Sequence, residues 1–381
     1  MSDHLQTGAG PAPAAPPPAG SAAPASCPSC RAAVTAAERF CEACGAPLNP
    51  TVEVAVLAPD GAESPVELSR PVSSGAVGRG TAEAAPVAAP VCTSCGAAVG
   101  ADGYCTTCGT KALSPRDHYV EQPASWVAAC CDKGIRHPRN EDATAVAAEE
   151  PPGSRAVLVV CDGVSTSTDS DVAALAGARA ARDVLVGSRP SGLGVPASRA
   201  AALAQAFAAA TAQANAAVVA NTAVDSDNAA SCTFAAAVVE GDLVGYANVG
   251  DSRVYWLPDA GEALELSLDD SVAQVRIAMG VTREEAENGP QAHAITKWLG
   301  RDSQDFSPRT GSVELTAPGW VLVCSDGLWN YASAARDLQA LVARLSSAAG
   351  GQPLPLAEAL VAWANAQGGR DNISAALARR A

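Results

Sequence analysis

Four acidic motifs, each beside a strand-like apolar run or a turn, constrain this chain more than any other feature. They are Arg139-Asn140-Glu141-Asp142, Val160-Cys161-Asp162-Gly163, Cys324-Ser325-Asp326-Gly327 and Arg370-Asp371-Asn372-Ile373. Among them lies Asn248-Val249-Gly250-Asp251-Ser252-Arg253. A fold that brings these strand ends together gathers carboxylates from distant sequence. Oxygen clusters of that kind suit hard divalent cations such as Mg²⁺ and Mn²⁺. One Asp-Gly alone is usually a turn, so the weight rests on the whole set in this order.

From about Trp126 the pattern alternates between strand groups and helix groups. Strands are expected over residues 125–131, 143–147, 155–161, 320–324 and 373–377. Residues 232–240, 243–248, 253–257 and 264–266 read as an antiparallel meander. Alanine-rich helices are expected at 171–187 and 198–221, with further helices at 270–278, 282–287, 334–345 and 356–366. Thr282 and Glu285 form a capping box. Because strands and helices segregate, the expected class is α+β: two sheets between helical layers, a four-layer α-β-β-α sandwich. Apolar residues make up 48% of the chain but aromatics only 4%, so the core must be mainly Val, Leu and Ala.

The N-terminal third is different. Residues 1–26 are Ala/Pro/Gly-rich and are expected to be a disordered tail. Residues 27–48 carry Cys27-x-x-Cys30 and Cys41-x-x-Cys44, and residues 92–110 repeat the unit with Cys92-x-x-Cys95 and Cys105-x-x-Cys108. Four thiolates in two knuckles close a tetrahedral Zn²⁺ site, and so short a unit has too little core to fold without metal. Two structural zinc ions are therefore expected. Residues 49–91 read as a flexible linker, and the domain carrying the acidic motifs is expected to span 123–381.

The order of the acidic motifs resembles the metal-dependent serine/threonine phosphatase family, the PPM or PP2C type. The resemblance covers about residues 123–381 and implies the α-β-β-α sandwich. It implies that Asp162 bridges two Mn²⁺ or Mg²⁺ ions while Gly163 offers its carbonyl. Asp326 and Asp371 resemble ligands of one ion, Glu141 the ligand of the other, and Asp142 a water-mediated ligand. Asp251 resembles a residue that helps Asp326 hold a third, weaker ion, although Asn330 stands where some relatives carry Asp. The reaction implied is one-step hydrolysis of phosphoserine or phosphothreonine by a water held between the two ions. Four residues before the Glu, where the family usually carries its phosphate-binding Arg, this chain has His137. Arg136 and Arg139 flank it, and Arg136 is the expected phosphate ligand because guanidinium is a planar fork of donors. None of the four histidines is assigned a metal, and Cys130, Cys131, Cys161, Cys232 and Cys324 are expected to be core thiols.

A net charge of −15 gives no reason to expect nucleic acid or anionic lipid as partner. The first residues lack the basic start and apolar stretch of a signal peptide, and no uninterrupted run of about 20 apolar residues predicts a membrane span. The expected setting is the cytoplasm. Expected partners are phosphoproteins, substrates of serine/threonine kinases, and a protein bound by the ribbons. Arg31 and Arg39 are balanced by Glu38 and Glu42, so the ribbons read as a docking or regulatory module; docking, autoinhibition and simple packing stay open. The alternative function is a catalytically inactive phosphoprotein-binding scaffold or zinc-ribbon interaction protein.

Overall fold

The structure is a computed structural model that describes residues 25–26, 33–34, 92, 95–110, 112, 114–189 and 195–380. The chain divides into two compact units, Met1–Ala82 and Glu83–Ala381. In the first, β1 (Ala25–Ser26) pairs antiparallel with β2 (Ala33–Val34). The rest of the expected tail and first ribbon, with Cys27, Cys30, Cys41 and Cys44, lies outside the described residues, as does the linker 49–91.

The second unit opens with the second cysteine unit and then a hairpin of β3 (His118–Ala124) and β4 (Val127–Asp132). It continues with β5 (Ala143–Ala148), β6 (Ala156–Cys161), α1 (Ser170–Gly187), α2 (Pro196–Ala220), β7 (Ser231–Cys232), β8 (Phe234–Glu240) and β9 (Leu243–Val249). Next come β10 (Arg253–Pro258), β11 (Leu264–Glu265), α3 (Val272–Ala278), α4 (Arg283–Glu287), β12 (Leu299–Gly300) and β13 (Arg309–Glu314). The C-terminal part is β14 (Gly319–Cys324), α5 (Asp326–Trp329), α6 (Ala335–Ala348), α7 (Pro353–Ala366) and β15 (Ile373–Arg380).

Two sheets form the centre. One has the order β11-β10-β14-β15-β4-β3 and the other β13-β9-β8-β6-β5. Both faces of each sheet are covered, so β6, β10 and β14 are buried at every position and lack the apolar–polar alternation of a half-exposed strand. Three cores separate four layers. Inner-face residues such as Leu158, Val160, Val244, Val254 and Val321 meet between the sheets. Helices α1 and α2 cover the five-stranded sheet through Ala178, Leu185, Leu203 and Phe207. Helices α5, α6 and α7 cover the other sheet through Leu328, Leu338, Leu356 and Leu360. The expected four-layer α-β-β-α sandwich is the observed fold.

Small residues set the helix spacing. A Cβ on Gly177 of α1 would sit 3.0 Å from the Val218 side chain of α2, so the two helices pack closely where bulkier faces could not. Ala197–Ala220 is long and apolar enough to cross a membrane by composition alone. Its Leu203, Phe207, Ala210, Ala214 and Val218 are instead buried in the core against the sheet.

Three expectations need correction. The meander does not stay in one sheet: β8 and β9 belong to the five-stranded sheet, whereas β10 and β11 belong to the six-stranded one. The chain crosses between them at Gly250-Asp251, with Gly250 at φ 91°, a conformation glycine tolerates. Strands β3 and β13 were not expected, because as edge strands they are largely exposed and polar. Finally, β3 starts at His118, so the sheet begins before residue 123. The Thr282 cap forms as expected, its side chain accepting from the Glu285 N–H.

Candidate metal centre

The acidic motifs converge where the strands of both sheets end. Asp162 follows β6, and its carboxylate feels the repulsion of Asp142, Asp326, Asp371 and Asp251. Burial, reinforced by that repulsion, pushes the pKa values of Asp162 and Asp326 well above the ordinary carboxylate range. Burial likewise raises Asp142 to about 7, with Asp371 adding to it, and raises Asp251 to about 7, with Asp269 adding to it. Like charges gathered away from water favour protons or cations. Two buried oxygens, Asp142 Oδ1 and Asp326 Oδ1, have no hydrogen-bond partner among the described residues. Oxygen donors held without partners in a negative field fit divalent cations.

Backbone contacts assemble the cluster. A Cβ on Gly163 would lie 2.6 Å from the Glu141 carbonyl, so only glycine allows the Asp162 strand end to meet the Glu141 turn. The Thr233 N–H donates to the Asp162 carbonyl at 2.8 Å and the Val164 N–H to the Ser231 carbonyl at 2.9 Å. These bonds bracket the bridge between Gly163 and Cys232. Thr233 Oγ1 accepts from the Asp162 N–H at 3.0 Å. The step Ser231-Cys232-Thr233 thus anchors the bridging candidate. On the other side, Asn372 Oδ1 accepts the Glu141 N–H at 2.8 Å, while its amide donates to the Lys133 and Arg139 carbonyls. Asp371 is thereby placed beside the 133–141 loop.

Glu141, unlike Asp142, Asp162, Asp251 and Asp326, is held low. Burial acts to raise its pKa, but the neighbouring His137 and the hydrogen bonds from Ser170 and Arg139 outweigh it and bring it to about 2. Arg139 Nη2 lies 2.7 Å from Glu141 Oε1, and Ser170 Oγ donates to the same oxygen at 2.6 Å. Arg139 also donates to Ser167; its guanidinium is occupied. Arg136 is exposed and has no ion pair or side-chain hydrogen bond among the described residues.

Four residues were missed by sequence reasoning. His137 Nδ1 lies 3.7 Å from Glu141 Oε2 and its Nε2 lies 3.2 Å from Asp371 Oδ1; the Glu141 carboxylate beside it, helped by Asp371, raises its pKa. Arg116 Nη2 donates to the Asp142 carbonyl at 2.7 Å from a segment ahead of the expected domain. Ser325 Oγ donates to Asp142 Oδ2 at 2.6 Å. Arg253 is buried, stacks 3.5 Å over Trp329 and pairs with Asp269, Glu265 and Glu287. The sequence held a signal for His137, through its offset from Glu141, and for Ser325 and Arg253, which lie inside the quoted motifs, but none for Arg116.

Asp251 and Asp326 lie close enough to repel each other. Asn330 Nδ2 donates to Asp326 Oδ2 at 3.0 Å, so an amide takes up an oxygen that a third ion would use. Cys130 and Arg136 stand in a Cys-x5-Arg spacing, but Cys130 is fully buried in β4 and burial pushes its thiol pKa up. Cys131, Cys161, Cys232 and Cys324 are buried too.

In the second cysteine unit, the sulfur pairs Cys92–Cys108, Cys95–Cys105 and Cys95–Cys108 lie 3.6, 3.5 and 3.5 Å apart. Sulfurs bound at about 2.3 Å to one tetrahedral zinc have nearly that separation. Among the described residues, only these four bring three or more His, Cys or acidic ligand atoms within 4.8 Å of one another. The carboxylate cluster is more open than this.

A profile of protein phosphatase 2C matches residues 135–365, more than half of the chain. The chain belongs to the protein phosphatase 2C family. A double zinc ribbon profile matches residues 27–109 ahead of the phosphatase 2C domain. Among family members, protein phosphatase PhpP of Streptococcus pneumoniae is 34% identical over 145 residues, 37% of this chain and 54% of PhpP. The chain therefore spans about half the length of that curated relative. Serine/threonine protein phosphatase PstP of Mycobacterium tuberculosis is 34% identical over 110 residues, 29% of this chain and 21% of PstP. The crystal structure of M. tuberculosis PstP/Ppp superimposes with a TM-score of 0.53 at 25% identity, covering 68% of this chain and 98% of that one. Stp1 of Staphylococcus aureus shares the fold, with a TM-score of 0.53 at 23% identity over 68% of this chain and 96% of Stp1.

Proposed function

We propose that this phosphatase 2C member is a cytoplasmic, divalent-metal-dependent protein serine/threonine phosphatase acting on phosphoproteins made by serine/threonine kinases. The observation that carries the reading is the convergence of Asp162, Asp326, Asp371, Glu141 and Asp142, with two buried carboxylate oxygens lacking partners.

In this reading Asp162 would be the central ligand of two divalent ions, Mn²⁺ or Mg²⁺. Asp326 and Asp371 would hold one ion and Glu141 the other, with the Gly163 carbonyl as a further donor. Asp142 acts from behind, and Asp251 with Asp326 offers a weaker third position. When bound, the ions supply charge neutralisation for phosphate and a water acidic enough to attack phosphorus near neutral pH.

The chain's own residues position what reacts. Arg139 and Ser170 hold one oxygen of Glu141 and leave the other facing His137. His137 stands between Glu141 and Asp371 and sets their spacing. Arg136, with its guanidinium uncommitted, orients the phosphate dianion through paired hydrogen bonds. Each cysteine unit holds one structural Zn²⁺, and the ribbons dock a protein partner or regulate access.

The test is hydrolysis of p-nitrophenyl phosphate and a phosphothreonine peptide by the full chain with and without Mn²⁺. Mn²⁺-dependent turnover that disappears in Asp162→Ala and Asp326→Ala supports the enzyme. Absence of turnover in folded full-length protein, and also after removal of residues 1–110, favours the scaffold.

A further inference from the structure

A groove of about 890 Å³ is lined by Asp371 and Gly327, and so opens off the acidic cluster. Trp329 and Tyr331 also line it, together with two arginines that no role above requires, Arg336 and Arg370. A second cavity, about 580 Å³ beside Arg155 and Glu240, lies at the opposite end of β6, and there Glu240 pairs with both Arg155 and Arg199.

Arg370 stands on a fixed backbone. Its N–H donates to the Tyr331 hydroxyl at 3.1 Å, and Tyr331 packs edge-on against Trp363. Gly368 and Gly369 precede it with φ of 135° and 48°, a turn that a side chain would strain. The Gly369 carbonyl accepts the Ile135 and Arg136 N–H groups at 2.9 and 3.2 Å. Arg136 and Arg370 therefore rise from one backbone junction beside Asp371. The side chain of Arg370 has no ion pair among the described residues. Arg336, near the start of α6, has a side chain 86% exposed and, among the described residues, pairs only with its neighbour Asp337, at 3.6 Å.

The groove's acids are partly spoken for. Glu287 accepts from Arg253, Arg283 and Ser333. Among the described residues Glu284 also lines the groove without an ion pair, but Arg370, adjacent in sequence to Asp371, brings an unpaired guanidinium next to the cluster, in a chain whose net charge is −15. A guanidinium fork matches carboxylate and phosphate alike. A peptide whose phosphate sits at the acidic cluster would continue along this groove.

We propose that Arg370 and Arg336 form a second anion subsite, which holds a carboxylate or phosphate side chain flanking the phosphorylated residue of a substrate peptide. This rests on the phosphatase reading above. The subsite makes acidic or multiply phosphorylated segments the preferred substrates and leaves small aryl phosphates unaffected.

The experiment uses the full chain with Mn²⁺ and three phosphothreonine peptides of equal length, flanked by alanine, by glutamate or by phosphoserine. Arg336→Gln, Arg370→Gln and the double variant are compared with the unaltered protein, with p-nitrophenyl phosphate as control. The expected result is a kcat/KM about fivefold higher for the glutamate peptide than for the alanine peptide, carried by KM, as an exposed ion pair allows. The phosphoserine peptide should gain at least as much. The double variant should treat all three peptides alike while its aryl phosphate turnover stays within about twofold. Equal kcat/KM for the three peptides in the unaltered protein, or a preference surviving the double substitution, would overturn the subsite. If p-nitrophenyl phosphate is not hydrolysed at all, the phosphatase reading fails by itself. Fluorescence anisotropy of the same labelled peptides then decides the groove: tighter binding of the anionic peptides, lost in the double variant, upholds it, and equal binding sinks it.

Discussion

Ser325 Oγ donates to Asp142 Oδ2 at 2.6 Å across 183 positions of sequence. The same hydroxyl accepts the Ser374 N–H at 2.9 Å. One side chain thus ties the end of β14 to β15 and to the Asn140-Glu141-Asp142 turn, and holds the far oxygen of Asp142 while Oδ1 stays without a partner.

Ser325→Ala should therefore disturb more than one strand end. It leaves a buried carboxylate oxygen and a buried N–H without their partner, a loss of about 1–3 kcal/mol in unfolding free energy. Urea denaturation of the metal-free protein measures it. Ser325→Thr, which keeps the hydroxyl, should recover most of the loss.

Asp162→Asn and Asp326→Asn should move stability and function in opposite directions. Each removes a buried like charge from the cluster, so the metal-free variant should melt at or above the temperature of the unaltered protein. Each also removes a proposed ligand, so the rise in melting temperature on adding Mn²⁺ should shrink or vanish. Calorimetric scans with and without Mn²⁺ check both halves, and a variant that melts lower without metal contradicts the repulsion argument.

The cluster also sets a pH dependence. Asp142 and Asp251 move from the unfolded value of 3.8 to about 7 in the folded protein. The folded state then binds more protons than the unfolded state between those values, so stability is present below about pH 4 and lost as pH rises toward 7. Glu141, held at about 2, acts oppositely, but only below the unfolded carboxylate range. Metal-free protein should melt lower at pH 8 than at pH 5, and Mn²⁺ should raise the melting temperature more at pH 8.

Gly134→Ala should be poorly tolerated. Gly134 has φ 74°, and a Cβ there would sit 2.1 Å from the Asp371 carbonyl. Left-handed strain alone amounts to about 1–2 kcal/mol, and the clash must displace Asp371. The expected outcome is lower stability together with weaker Mn²⁺ binding by titration calorimetry. Loss of stability with unchanged Mn²⁺ affinity would argue against Asp371 as a ligand.

Zinc content should follow the cysteines. Cys95→Ser or Cys108→Ser should lower bound zinc by one equivalent per chain in elemental analysis, because a closed four-sulfur site loses most of its affinity with one ligand. Hydrolysis of p-nitrophenyl phosphate should be retained.

Much of the site was legible because its signals are local. Asp162 and Asp326 follow buried apolar runs, and Gly163 stands where no side chain fits against Glu141. The strands β5, β6 and β14 and the helices α1 and α2 were likewise written in nearby residues. Edge strands β3 and β13 were not, since an exposed strand needs no apolar face. The split of the expected meander was also hidden, because β9 and β10 have similar apolar composition and differ only in which sheet they join.

The sequence by itself determined which carboxylates and thiolates are available, that helices and strands segregate into four layers, and which family the chain resembles. Ligand type and hydrophobic period are properties of neighbouring residues, and need no knowledge of distant contacts. Only the tertiary structure decided that Arg139 is bound to Glu141 while Arg136 is uncommitted, that His137 lies between Glu141 and Asp371, and that Arg116 and Ser325 hold Asp142 from two sides. Those roles depend on which backbone turns meet across the two sheets, and hydrogen-bond partnership between groups so far apart in sequence is set by packing.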